Sequence, residues 1–137
     1  MEKKKIERTR KNPWGYYDRE LTKQTRDWKE ILDIGLGKSS GPFINHRPQW
    51  PSHNNSFKPV AEATYRCFEE VAFALLDACA SNLGVPEQKL RSAFTPEHTS
   101  YLRLNHYPSC AKPALPDGLS ITEPGNLGII FIQTLAL

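Results

Sequence analysis

From Pro59 to Leu83 the chain repeats apolar residues at steps of three and four. Val60, Tyr65, Cys67, Phe68, Val71, Ala72, Leu75, Leu76, Ala78, Cys79 and Leu83 alternate with Glu62, Arg66, Glu69, Glu70 and Asp77. Residues so spaced share one face only in an α-helix, so this stretch is a single long amphipathic helix with a broad apolar side. Pro59 suits its first turn, where the missing amide hydrogen is not needed, and Gly84 suits its C-terminal stop. Such a helix requires a matching apolar surface elsewhere in the chain.

A second strong signal is "YLRLNHYP", Tyr101 to Pro108, which alternates in character with a period of two. As a strand it places Leu102, Leu104 and His106 on one face and Tyr101, Arg103, Asn105 and Tyr107 on the other. A shorter helix over Pro86 to Phe94 leads into it. Beyond Pro108 a turn-rich stretch precedes the apolar run Leu127 to Leu137, which reads as a buried strand whose neighbours the remaining sequence does not supply. Ahead of the long helix, the aromatic cluster Asn12 to Asp18 reads as an ordered loop or turn. The early part of Leu21 to Ile34 suits a short helix, and Trp28 to Ile34 fits a helix or a strand equally. Gly35 to Pro59 is a long loop anchored by Phe43 and Trp50. The chain thus divides into a loop-rich segment over 1–58, helices over 59–94 and strands over 95–137.

At 137 residues the chain accommodates one domain. Its formal charge of +3 comes largely from residues 2–11, a local excess that gives little support to a nucleic-acid-binding reading. No stretch approaches the roughly 20 apolar residues of a membrane span, and the charged start has no apolar secretory region. A soluble, cytoplasmic protein without membrane or nucleic-acid partners is expected. Cys67, Cys79 and Cys110 are odd in number and lack metal-ligand spacing, so buried free thiols are expected rather than a disulfide framework.

Motif chemistry is sparse. His46 and His53 stand seven apart in the long loop, and His98 and His106 have no convergent carboxylate nearby in sequence, so the four histidines form no recognisable metal set. Gly35-Leu36-Gly37-Lys38 lacks the rest of a phosphate loop, and no Ser or Cys stands in a nucleophile elbow. The polar row of the strand is more informative. Arg103, Asn105 and Tyr107 offer a cation, an amide and a phenol at intervals of roughly 7 Å. That row suits a small carboxylate ligand on the floor of a pocket; a half-exposed edge strand fits the alternation as well.

Four segments in order carry a resemblance. "LRLNHYPSC" resembles the N-x-Y-P-x-C segment of the isopenicillin N synthase-like family of iron(II)- and 2-oxoglutarate-dependent dioxygenases. "NPWGYYDRELTKQTRDWKEILDIG" is similar to that family's G-Y-x and D-W-K-E stretch, "LGVPEQKL" to its L-G-(L/V)-x-x-x-x-L turn, and "GNLGI" to the words that directly precede its metal motif. The resemblance covers most of the chain.

It implies an α+β fold: part of a double-stranded β-helix, or jelly roll, with a long supporting helix, incomplete at both ends. It implies iron(II) and 2-oxoglutarate as cofactors and a small organic substrate. Asn105 and Tyr107 match family positions that help hold 2-oxoglutarate, Arg103 is a looser candidate, and Tyr16 or Tyr17 lines the substrate side. The family's H-x-D, distant His and R-x-S do not follow Ile129; the sequence runs on as Ile130 to Leu137. On this reading the chain is an interior piece of a dioxygenase, with the departure at Ile130 marking an altered frame or retained intron. It is then inactive alone, or a non-catalytic partner of a full-length relative. Oligomeric state is left open.

Overall fold

The computed structural model describes residues 2–22, 25–26, 29–36, 47–95, 98–108 and 130–135. In chain order these form α1 (Glu2–Lys5), β1 (Gly15–Tyr17), β2 (Leu21–Thr22), β3 (Thr25–Arg26), β4 (Glu30–Gly35), α2 (Phe57–Asn82), α3 (Glu87–Arg91), β5 (Thr99–His106) and β6 (Ile130–Leu135). Strands β1, β4, β5 and β6 make one sheet in that spatial order, antiparallel throughout, and β2 and β3 form a separate hairpin.

The long helix is present and begins two residues before Pro59, which therefore lies in its first turn. Gly84 ends it as the glycine rule requires. Its φ of +66° lets the chain turn back, so that the Gly84 amide donates to the Ser81 carbonyl and the Val85 amide to the Ala80 carbonyl, each at 3.0 Å. The shorter helix is also present, with turns continuing to Phe94.

Helix α2 meets the sheet through Ala61 and Tyr65, which cluster with Ile34 of β4 and Leu102 of β5. Leu32, Leu104, Trp50 and Phe57 pack around that centre. The register explains the choice of face. Leu32 pairs with Leu104 and Ile34 with Leu102, and residues directly opposite across antiparallel strands point to the same side.

Several expectations are corrected. Gly15 to Tyr17 is a strand rather than a loop: it pairs with Ile31 to Asp33 along one edge and is bridged by the amino-terminal segment along the other. There the Arg8 amide donates to the Tyr16 carbonyl at 2.9 Å and the Tyr16 amide to the Ile6 carbonyl at 2.8 Å. The early part of 21–34 is a hairpin instead of a short helix, and its later part is a strand, because β4 finds partners on both sides. The apolar arc of α2 is wider than its buried face, leaving Val60 64%, Val71 48% and Leu75 62% exposed. For the same reason Cys67 and Cys79 are free but exposed, not buried. Trp28, Phe43, His46 and Cys110 lie outside the described residues. No helix among the described residues is long and apolar enough to cross a membrane.

The basic start is folded down. Lys3 binds Glu30 at 2.5 Å, Lys5 binds Glu2, and Arg8 approaches Asp33 at 3.7 Å, so carboxylates of this chain balance these cations.

Candidate functional site

Strand β5 is flanked by β4 and β6, so the edge-strand reading fails and its polar row lies on the middle of a sheet. Arg103 faces Asp33 and Asn105 faces Ile31, with Tyr17 of β1 in register beyond Ile31. Tyr17, Asp33, Arg103, Asn105 and Tyr101 therefore share the side away from α2. Asn105 is only 7% exposed and Asp33 only 4%.

An ion network organises this side. The Arg103 guanidinium donates to both oxygens of Asp33, from Nε at 2.7 Å and Nη2 at 2.9 Å, a bidentate fork of the strong kind. Its Nη1 reaches Glu20 at 3.3 Å, and Lys29 reaches the same carboxylate at 2.6 Å. The hydrogen bonds to Asp33 outweigh burial and hold Arg103 more firmly protonated than an ordinary arginine. Arg8, in contact with Asp33, stacks over the Tyr17 ring with its guanidinium carbon 3.4 Å from the centroid. Arg8, Lys29 and Arg103 thus meet Glu20 and Asp33 on this face.

Trp14 closes one end, its ring 5.6 Å from that of Tyr101. Burial pushes the Tyr101 phenol up from its usual range. The buried indole Nε1 of Trp14 has no acceptor among the described residues.

The predicted residues are not all brought together. Tyr17, Arg103 and Asn105 share the face, and Tyr107 follows directly after β5. Tyr16 points to the opposite side, in register with Leu32, and donates its hydroxyl to Glu30 at 2.9 Å. Burial foremost, helped by the Glu30 charge, raises the Tyr16 phenol well above its usual range. Burial acts to raise the Glu30 carboxyl too, but hydrogen bonds from Lys3, His106 and Tyr16 overcome it and hold the group at about 2. Sequence reading missed Asp33 and Glu20, the anchors of Arg103, because 70 and 83 residues separate them from it. It also missed the carboxylate partners of two histidines: Glu69 for His98 at 2.8 Å and Glu30 for His106 at 3.0 Å.

No protein-family model matches the chain. Its relatives are nonetheless consistent. Flavanone 3-dioxygenase 2 of Oryza sativa is 31% identical over 108 residues, 78% of this chain and 30% of that protein. Protein DOWNY MILDEW RESISTANCE 6 of Arabidopsis thaliana is 26% identical over 112 residues, covering 81% and 31%. Among solved structures, a 2OG-Fe(II) oxygenase family protein from Caulobacter crescentus superposes with a TM-score of 0.63 at 25% identity over 82% of this chain and 39% of that one. The chain belongs to the 2OG-Fe(II) oxygenase family.

This oxygenase chain also shares its fold with the crystal structure of JOX2 in complex with 2OG, Fe and JA, at a TM-score of 0.56 over 73% of its length and 30% of that chain. It spans about 30% of the length of the curated relatives it matches. Among the described residues no three His, Cys, Asp or Glu side chains converge to hold a metal ion. Iron(II) therefore has no fitting donor set on them.

Proposed function

We propose that the side of the sheet carrying Asn105 forms one wall of a 2-oxoglutarate pocket in a jelly-roll oxygenase that oxidises a small organic molecule. Asn105 and Tyr107 hold the cosubstrate by hydrogen bonds from the amide and the phenol. Arg103, gripped by Asp33, fixes the strand beside Asn105 instead of binding the dianion directly. Tyr17, stacked under Arg8, lines the substrate side; Tyr16, turned toward Glu30, does not. The observation that carries this reading is the buried side chain of Asn105 on the same face as the Arg103–Asp33 pair.

Titrating the ¹⁵N-labelled chain with 2-oxoglutarate tests it. Saturable amide shifts confined to Tyr17, Asn105 and Tyr107 are expected, weakened at least fivefold in Asn105→Ala. Absence of saturable shifts, or shifts unchanged by that substitution, overturns it.

The exposed stripe Val60, Phe68, Val71 and Leu75 favours a second reading, a non-catalytic partner of a full-length relative. Co-expression and pull-down should then recover a complex that Leu75→Glu abolishes; no complex, or one indifferent to Leu75→Glu, removes this reading.

A further inference from the structure

On the other side of the sheet, where α2 crosses the start of β5, Ala72, Phe73, Leu76 and Phe94 wall a recess of about 120 Å³ whose polar end is Tyr65, Glu69, His98 and Ser100. An apolar cavity near 150 Å³ accepts a benzene ring, so the recess is of the order of one ring with no room for a second. It opens into a wider vestibule of about 440 Å³ that shares Tyr65, Glu69, Phe73 and His98 and adds Arg66 and Thr95 at the rim. Access from solvent is therefore provided.

The polar end is a connected chain. Glu69 accepts from Nε2 of His98 at 2.8 Å. Ser100 Oγ lies 2.7 Å from Nδ1 of the same ring, and the Tyr65 hydroxyl is hydrogen-bonded to that Oγ. Burial, tempered by that bond to Ser100, pushes the Tyr65 phenol up to about 12, so it keeps its proton. The Glu69 carboxylate, which donates nothing, keeps acceptor capacity at this end of the recess beyond its bond from His98. The Phe73 ring stands edge-on to His98 at 5.8 Å and gives the apolar part an aromatic wall.

We infer that this recess is a binding site for a one-ring aromatic molecule bearing a single neutral hydrogen-bond donor, a phenol in chemical class. The ring fills the space between Phe73, Leu76 and Phe94, and its hydroxyl donates to the acceptor end. The site lies on the opposite face from Asn105 and is independent of the 2-oxoglutarate reading.

Phenol and anisole, equal in ring and differing in the donor, are the probes. Titrated into the ¹⁵N-labelled chain, phenol should give saturable shifts at Phe73, Leu76 and Ser100, with anisole at least tenfold weaker. Ala72→Leu, which occupies the recess with three added carbons, should weaken phenol about tenfold, and Glu69→Gln should reduce the preference over anisole to about threefold. Saturating 2-oxoglutarate should leave the phenol shifts unchanged, so failure of one reading is visible separately from failure of the other. Equal binding of the two probes to the unsubstituted chain, absence of saturation, or phenol binding unchanged in a folded Ala72→Leu chain overturns the inference.

Discussion

Gly15 sits in β1 with a φ of +127°, and a Cβ placed on it would lie 2.2 Å from the Ile6 carbonyl oxygen. Both the backbone angle and the bridging amino-terminal strand exclude a side chain, so Gly15→Ala should cost about 3 kcal/mol in urea unfolding. Gly84→Ala, at φ +66° with nothing within 4 Å, should cost about 1 kcal/mol, because only the left-handed conformation is penalised. Arg103→Ala leaves the buried Asp33 with Arg8 alone at 3.7 Å and should cost about 2 kcal/mol; Asp33→Asn in the same chain should recover part of that loss. Glu30 gives a pH dependence of definite sign. Its folded pKa, about 2, lies below its unfolded value of 4.5, so its contribution is complete above pH 4.5 and disappears as pH falls from there toward 2. Unfolding free energy followed across that window should fall less steeply in Glu30→Gln than in the parent chain.

Helix α2 presents two apolar stripes side by side. Ala61, Tyr65 and Ala80 lie along the buried one, while Val60, Phe68, Val71 and Leu75 recur at eight, three and four residues along an exposed one. Truncation should separate them by position. Leu102→Ala, beneath the buried stripe at 1% exposure, should cost about 3 kcal/mol, whereas Leu75→Glu should change stability by less than about 0.5 kcal/mol. The helix, with its Pro59 start and Gly84 stop, was legible in the sequence because period, first-turn proline and terminal glycine are all local signals. Its buried limit was not: an apolar arc states which side chains avoid water, and only the sheet decides which of them meet it. Strands β1 and β4 were misread or left open for a related reason. Gly15 to Tyr17 is too short to show a period, and β4 acquires its identity from β1 and β5 on either side.

The whole sheet is a four-strand antiparallel array with β4 and β5 at its middle and α2 across one face. Amide exchange should be slowest in β4 and β5, whose hydrogen bonds are paired on both edges and covered by Tyr65 and Ala61, and faster along the α2 turns bearing Val71 and Leu75. The family could be read from words kept in order along the chain, since "GYY", "LGVPEQKL" and "LRLNHYP" each encode a local shape or a local row of side chains. The site could be read only in part. Alternation placed Arg103 and Asn105 together, but not the inversion that sends Tyr17 to their side and Tyr16 to Glu30. Sequence by itself determined the helix, its two ends, the two-residue period of β5 and the membership of an oxygenase family. Tertiary structure alone decided that Arg103 belongs to Asp33, that His98 belongs to Glu69, and that a ring-sized recess opens behind Ser100. The reason is physical: periodicity and turn chemistry act between residues a few positions apart, whereas these pairings join carboxylates and cations from strands and helices that meet only when the sheet has formed.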